Sequence, residues 1–212
     1  MPIEPRTLRG RNSRERILTQ ASLLIAEKGA INTSLDDICE AASVGKSQLY
    51  HYFANKDDLI LAVIGRQTAA TLEKQQPLLM HLDSWERLEQ WVQLAIQLQE
   101  EQHCIGGCLV GSLASELSDQ NEQARLALVR SFDMWERYLV DGFASMQRRR
   151  ELRADADPSE LASVLITSLQ GGVLLTQTRK TVIPLQRVLH AALTYARSFA
   201  TSSEGTTSFH GG

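Results

Sequence analysis

Apolar residues recur along most of the chain at helical spacing, interrupted by short polar or glycine-containing stretches. Ile17, Ala21, Leu24 and Ile25 fall at i, i+4, i+7 and i+8, the pattern of one buried helical face. Ser13 is the expected N-cap of that helix, and Gly29 its stop. Ser34-Leu35-Asp36-Asp37 has the form of a capping box with Asp in place of Glu, opening a second helix with Leu35, Ile38 and Ala42 on its inner face. Ser43-Val44-Gly45 predicts a turn, and Lys46 to Tyr52 a short third helix. Asn55 is the expected cap of a fourth helix that runs to Gln76, where Pro77 stops it.

Further along, Trp85, Leu88, Trp91, Val92 and Ala95 keep helical spacing between Ser84 and Gln102, followed by a glycine-broken segment from Ile105 to Leu117. Long helices are predicted over Asn121 to Glu151, Pro158 to Lys180 and Pro184 to Ala200. Only five prolines occur in 212 residues, and β-branched clusters at strand spacing are scarce. The expected fold class is therefore all-α. The expected organisation is a flexible basic arm over 1–12, a three-helix domain with a helix-turn-helix over 13–54, a helical body over 55–201 and a disordered tail over 202–212.

Composition sharpens this picture. Hydrophobic residues make up 43% of the chain, enough for a folded core and too many for a disordered one. The net charge of −3 excludes an indiscriminate polycation. Its distribution is uneven, however: before Ile17 stand Arg6, Arg9, Arg11, Arg14 and Arg16 against only Glu4 and Glu15. A basic N-terminal stretch on an acidic body suits a protein whose positive charge is needed only at a DNA footprint. Cys39, Cys104 and Cys108 give an odd count with no disulfide-framework spacing. The N-terminus lacks the apolar run of a signal peptide, and no stretch approaches about 18 consecutive apolar residues. A cytoplasmic protein with reduced thiols and no membrane span is expected.

Two short helices joined by a tight glycine-containing turn form a helix-turn-helix, whose second helix must pack one face and leave the other free for the major groove. Val44, Leu49 and Phe53 supply the packing face, while Lys46, Ser47, Gln48 and His51 project the other way and carry groups able to bond base edges or phosphates. From Arg14 to Ile64 the chain resembles the DNA-binding domain of TetR-type (tetracycline-repressor-like) transcriptional regulators. The stretch from Thr33 to Leu59 carries the resemblance: a threonine opening helix two, a turn, the Leu49-Tyr50-His51-Tyr52-Phe53 run, and Lys56 starting helix four. The resemblance implies that Thr33 contacts a phosphate, that Lys46, Ser47, Gln48 and His51 lie in the groove, and that Tyr50, Tyr52 and Lys56 hold the DNA backbone. The chain departs from the usual pattern at Ser43 and Gly45, where glycine and serine respectively are expected. A glycine caps helix three slightly less well than serine.

The resemblance further implies a homodimer, which would pair through the last two helices and bind a palindromic operator on double-stranded DNA, released by a small-molecule effector. Gly171-Gly172, Leu169, Val173 and Leu174, followed by Val188, Leu189, Ala192, Leu193 and Ala196, offer an apolar stripe for self-pairing, or equally an ordinary core. Trp85, Trp91, Met134, Trp135 and Phe143, with Cys108 and Gln170, are candidates to line an effector pocket. Cys104 to Glu116 is the least ordinary stretch. It lacks the lysine of a phosphate loop, and His103, Cys104 and Cys108 give at most three ligands where zinc needs four, so neither a metal nor a cofactor is expected. Its Gly107-Cys108-Leu109 element is similar to the family branch that includes the N-ethylmaleimide-responsive repressor, which implies a thiol-based electrophile sensor as an alternative; that branch also relies on a lysine where this chain has Thr176. An all-α enzyme is the reading from another class, and no paired nucleophile, base and acid supports it. A purely structural helical protein would leave the polar face of helix three without a purpose.

Overall fold

The computed structural model describes residues 7–201 and folds them into nine α-helices, one single-turn 3-10 helix (Leu78–His81) and one isolated bridge between Leu152 and Ala200. In chain order these are α1 (Leu8–Lys28), α2 (Leu35–Ala41), α3 (Lys46–Tyr52), α4 (Lys56–Glu73), α5 (Trp85–Glu101), α6 (Leu109–Leu117), α7 (Glu122–Arg148), α8 (Pro158–Arg179) and α9 (Ile183–Arg197). The all-α expectation is met. Ser34, Asn55, Ser84, Asn121 and Asp157 each cap a helix with a side-chain oxygen on an otherwise orphaned amide. Each such cap is worth about 1 kcal/mol.

Four boundaries differ from expectation by three residues or more, α7 ending at Arg148 and not Glu151 and α9 at Arg197 and not Ala200. Helix α1 starts at Leu8 rather than after Ser13, because Thr7 Oγ1 accepts the Gly10 N–H at 3.1 Å and caps it earlier. Residues 8–12 of the expected arm are thus helical; they bury almost nothing, which is why a search for an apolar stripe starts too late. The remainder of the arm and the tail over 202–212 lie outside the described residues. Helix α4 ends at Glu73, three residues before Gln76.

The core falls into two clusters. One joins Ile17 and Ile25 of α1, Ile38, Leu49, Phe53 and the first half of α4 to Val110, Leu113 and Leu117 of α6 and to Ala124 and Leu128 at the start of α7. The other is built from α5, the remainder of α7, α8 and α9 around Trp91, Leu139, Phe143, Leu165 and Leu189. Cys108 and Phe132 touch both. Helix α6 therefore packs its apolar face against the N-terminal helices although it lies far along the chain.

The last two helices pack on each other within the chain. A Cβ on Gly172 would lie 2.7 Å from Leu185 Cδ1 and 2.9 Å from Val188 Cγ1, so this glycine serves the internal α8–α9 contact and not self-pairing. Leu169, Val173, Leu189, Ala192, Leu193 and Ala196 are likewise core. Gly171, Leu174, Leu175, Ile183, Ala191 and Tyr195 are left as exposed apolar surface on this pair. Helix α8 is long and apolar enough to cross a bilayer, with 22 residues and a mean hydropathy of 1.2 over its most apolar window. That apolarity follows from packing against α7 and α9.

Candidate nucleic-acid interface and effector cavity

Helix α3 is short, and its two faces differ sharply. Leu49 and the following Phe53 are fully buried, whereas Lys46, Ser47, Tyr50 and His51 are exposed and Gln48 is half-exposed at their edge. Spacing of one, three and four residues puts these polar groups on one side of the helix. Arg14 of α1 stacks its guanidinium over the Phe53 ring at 5.4 Å, tying the end of α3 to α1. Lys46 is paired across the turn with Asp36 of α2, and this hydrogen bond first, then the carboxylate's charge, raises the lysine's pKa above its usual value.

The turn before α3 explains the exchanged residues. Helix α2 ends in a Schellman arrangement: Val44 N–H donates to Cys39 O at 3.0 Å and Ser43 N–H to Glu40 O at 3.0 Å. The first residue past the C-cap must then be left-handed; here it is Ser43, which sits at φ 51, where glycine is the relaxed choice. Gly45 is the N-cap of α3 and offers no side-chain hydrogen bond. The two residues each stand where the other would serve better.

Other expected DNA residues are placed less simply. Thr33 is fully buried and its hydroxyl donates to Gly29 O at 2.7 Å, so it straps the α1–α2 turn from within. Ser34, not Thr33, caps α2; the backbone N–H of Ser34 and then its hydroxyl hold the Asp37 carboxyl below the usual carboxylate range. Tyr52 is 7% exposed and packs edge-on against His51 at 5.0 Å. Lys56 points its Nζ at Ile31 O, 3.0 Å away.

In the body, a cavity of about 200 Å³ opens between α4, α5, α7, α8 and the loop before α6. Of the candidate residues, Trp135, Cys108 and Gln170 line it, and Trp91, Trp85 and Met134 do not. Trp91 is fully buried core. Trp85 lies at the edge of the core under Arg197, whose guanidinium is 5.6 Å from the ring, and Met134 is exposed. Helical spacing marks which side of α5 or α7 is apolar, not which part of that side meets a void. Two further glutamines, Gln75 and Gln99, were not anticipated. Gln75 Oε1 accepts from both indoles, Trp91 Nε1 at 2.7 Å and Trp135 Nε1 at 3.2 Å. Gln99 Oε1 and Gln170 Nε2 are buried at the wall with no partner. A polar residue on an otherwise apolar helical face is the one signal that would have marked Gln99.

Cys108 caps α6, accepting the Gly111 N–H at 3.5 Å. Burial pushes its thiol pKa up, offset only in part by backbone hydrogen bonds, the Gly111 N–H first. Sensing through a thiolate needs the opposite shift. Thr176 is fully buried with its hydroxyl unpartnered. Among the described residues no group of three His, Cys, Asp or Glu side chains is placed to hold a metal.

A two-helix reader on a three-helix unit, carried by a helical body with an internal cavity, defines a DNA-binding regulator. Residues 17–63 match the bacterial regulatory proteins of the tetR family, and residues 84–192 match the tetracyclin repressor-like C-terminal domain. The chain belongs to the TetR family and is a DNA-binding transcriptional regulator. It is 31% identical over 212 residues to the transcriptional regulator AcuR of Cereibacter sphaeroides, covering 96% of this chain and 95% of that protein. It is 24% identical over 180 residues to the transcriptional repressor NemR of Escherichia coli, covering 84% of this chain and 90% of that one. The crystal structure of a regulatory protein TetR from Rhodobacter sphaeroides superposes with a TM-score of 0.75 at 26% identity, covering 86% of this chain and 98% of that one.

Proposed function

We propose that the protein is a cytoplasmic homodimeric repressor that holds a palindromic operator and releases it when a small molecule enters the body. The free polar face of α3, backed by fully buried Leu49 and Phe53, carries this reading. Lys46, Ser47, Gln48 and His51 face the bases and flanking phosphates, with Gln48 suited to bidentate pairing with adenine. Tyr50 and Lys56 grip the backbone; Thr33 and Tyr52 act from inside by shaping the surface. One α3 alone reads few bases, so two copies about 34–36 Å apart are required for useful affinity. The exposed Leu174, Leu175 and Ile183 on α8 and α9 are the surface through which the copies pair.

The effector reading rests on the unpartnered Gln99 and Gln170 amides beside Trp135, an apolar wall with two polar groups awaiting bonds. The direct test is to select duplexes from a randomised library with the purified protein. Recovery of a palindrome, and loss of preference at one symmetric base position in Gln48→Ala, is the expected result. Lys56→Ala should weaken binding to all duplexes alike and flatten the salt dependence. Selection of no sequence over random DNA would overturn the reading.

A further inference from the structure

Helix α6 begins at the cavity and ends at the DNA-reading unit. Its N-cap, Cys108, lines the cavity. In its last turn, Glu116 reaches across to the α1–α2 turn, accepting the Ala30 N–H at 2.8 Å and the Ile31 N–H at 2.7 Å. The two carboxylate oxygens take one amide each. Gly29 makes room for them: it sits at φ 82, and a Cβ there would lie 2.8 Å from Glu116 Oε1. The same short turn is gripped from the DNA side, where Lys56 Nζ donates to Ile31 O. Thr33 Oγ1 closes it from inside on Gly29 O. Glu116 also lines a second hollow of about 510 Å³, shared with Cys108 and Gln170.

We infer that Glu116 is a positioning residue of the DNA reader: its carboxylate clasps the Ala30 and Ile31 amides and so converts the position of α6 into the position of the α1–α2 turn, of α2 and of Lys56. The apolar contacts of Val110, Leu113 and Leu117 hold α6 near the reader but are non-directional and tolerate sliding. Two hydrogen bonds to consecutive amides do not. Charge-assisted bonds of this kind are also stronger than neutral ones. A shift of α6 at its Cys108 end is therefore delivered to the reader through one side chain. The inference rests on the DNA binding of the family and needs no effector.

The test is a double-mutant cycle on the full-length dimer, with a duplex selected by the parent protein. Gly111→Leu crowds the Cys108 end of α6 against α8: a Cβ at Gly111 would already lie 2.6 Å from the end of the Gln170 side chain, and leucine adds three carbons beyond it. It should weaken DNA binding about ten-fold in the parent and no more than about two-fold in the Glu116→Ala background. Glu116→Gln, which keeps one acceptor oxygen and the side-chain shape, should fall between, and guards against a failure of Glu116→Ala to fold. In both Glu116 variants the slope of affinity on salt should fall no further than in Lys56→Ala, since Lys56 is the phosphate contact that the clasp positions. Amide exchange at Ala30 and Ile31 should accelerate in both. Additive losses from the two sites, or unchanged DNA binding in Gly111→Leu, would overturn the inference.

Discussion

Lys46 Nζ stands 2.8 Å from one carboxylate oxygen of Asp36 and 3.1 Å from the other, so the first cation of the reading helix is paired before DNA arrives. Both side chains are about two-thirds exposed, and an exposed pair of this kind contributes little to stability. Its effect falls on binding. Asp36 competes with phosphate for Lys46 and adds a negative charge beside the footprint.

Asp36→Asn should accordingly tighten DNA binding by roughly two- to five-fold at low salt and steepen the salt dependence by about 0.9 in slope, one further counterion released. Fluorescence anisotropy across a salt series measures both. An affinity at or below the parent's would show that Lys46 makes no phosphate or base contact.

The exchanged residues of the turn make a second prediction. Ser43→Gly removes a left-handed serine, and Gly45→Ser restores a capping hydroxyl at a position where nothing lies within 4 Å of a new Cβ. Together they should stabilise the protein by about 1 kcal/mol, most of it from Ser43. Denaturant unfolding of the two single variants and the double variant separates the contributions. A loss of stability in Ser43→Gly would mean that glycine's greater freedom in the unfolded chain outweighs the strain.

Gln75 is the shared acceptor of two buried indoles. Replacing it with Leu leaves two N–H groups unsatisfied in the core and should cost about 2–4 kcal/mol. Thermal unfolding reports the loss, and fluorescence of Trp91 and Trp135 should shift at the same time.

For Cys108 the sign follows from the direction of its shift. Burial raises the thiol's pKa above its ordinary value of 9.0, so the folded state favours the neutral form. That preference adds stability below pH 9.0, fading as pH rises through the folded-state value. Alkylation of Cys108 by iodoacetamide, followed by mass spectrometry with Cys39 and Cys104 replaced, should be slower than that of a free peptide thiol at neutral pH. Its half-maximal rate should lie above pH 9.0. Fast reaction at pH 7 would reinstate a thiolate sensor.

The sequence by itself determined the local elements and the reading helix, because those depend on neighbours three or four residues apart. Ser34 and Asp37 form their capping box, Gly29 stops α1, and Leu49 and Phe53 turn inward so that Lys46, Ser47 and His51 turn outward. The tertiary structure alone decided which apolar residues meet a void, which glycine admits a neighbouring helix and which polar groups meet across the chain. Trp91 and Trp135 share a helical pattern with their neighbours, yet only Trp135 borders the cavity. Asp36 reaches Lys46 ten residues on, and Glu116 bonds amides about 85 residues before it. Helical periodicity encodes a direction away from an axis; it holds no information about how far off the next helix stands, and pockets and clasps are set by that distance.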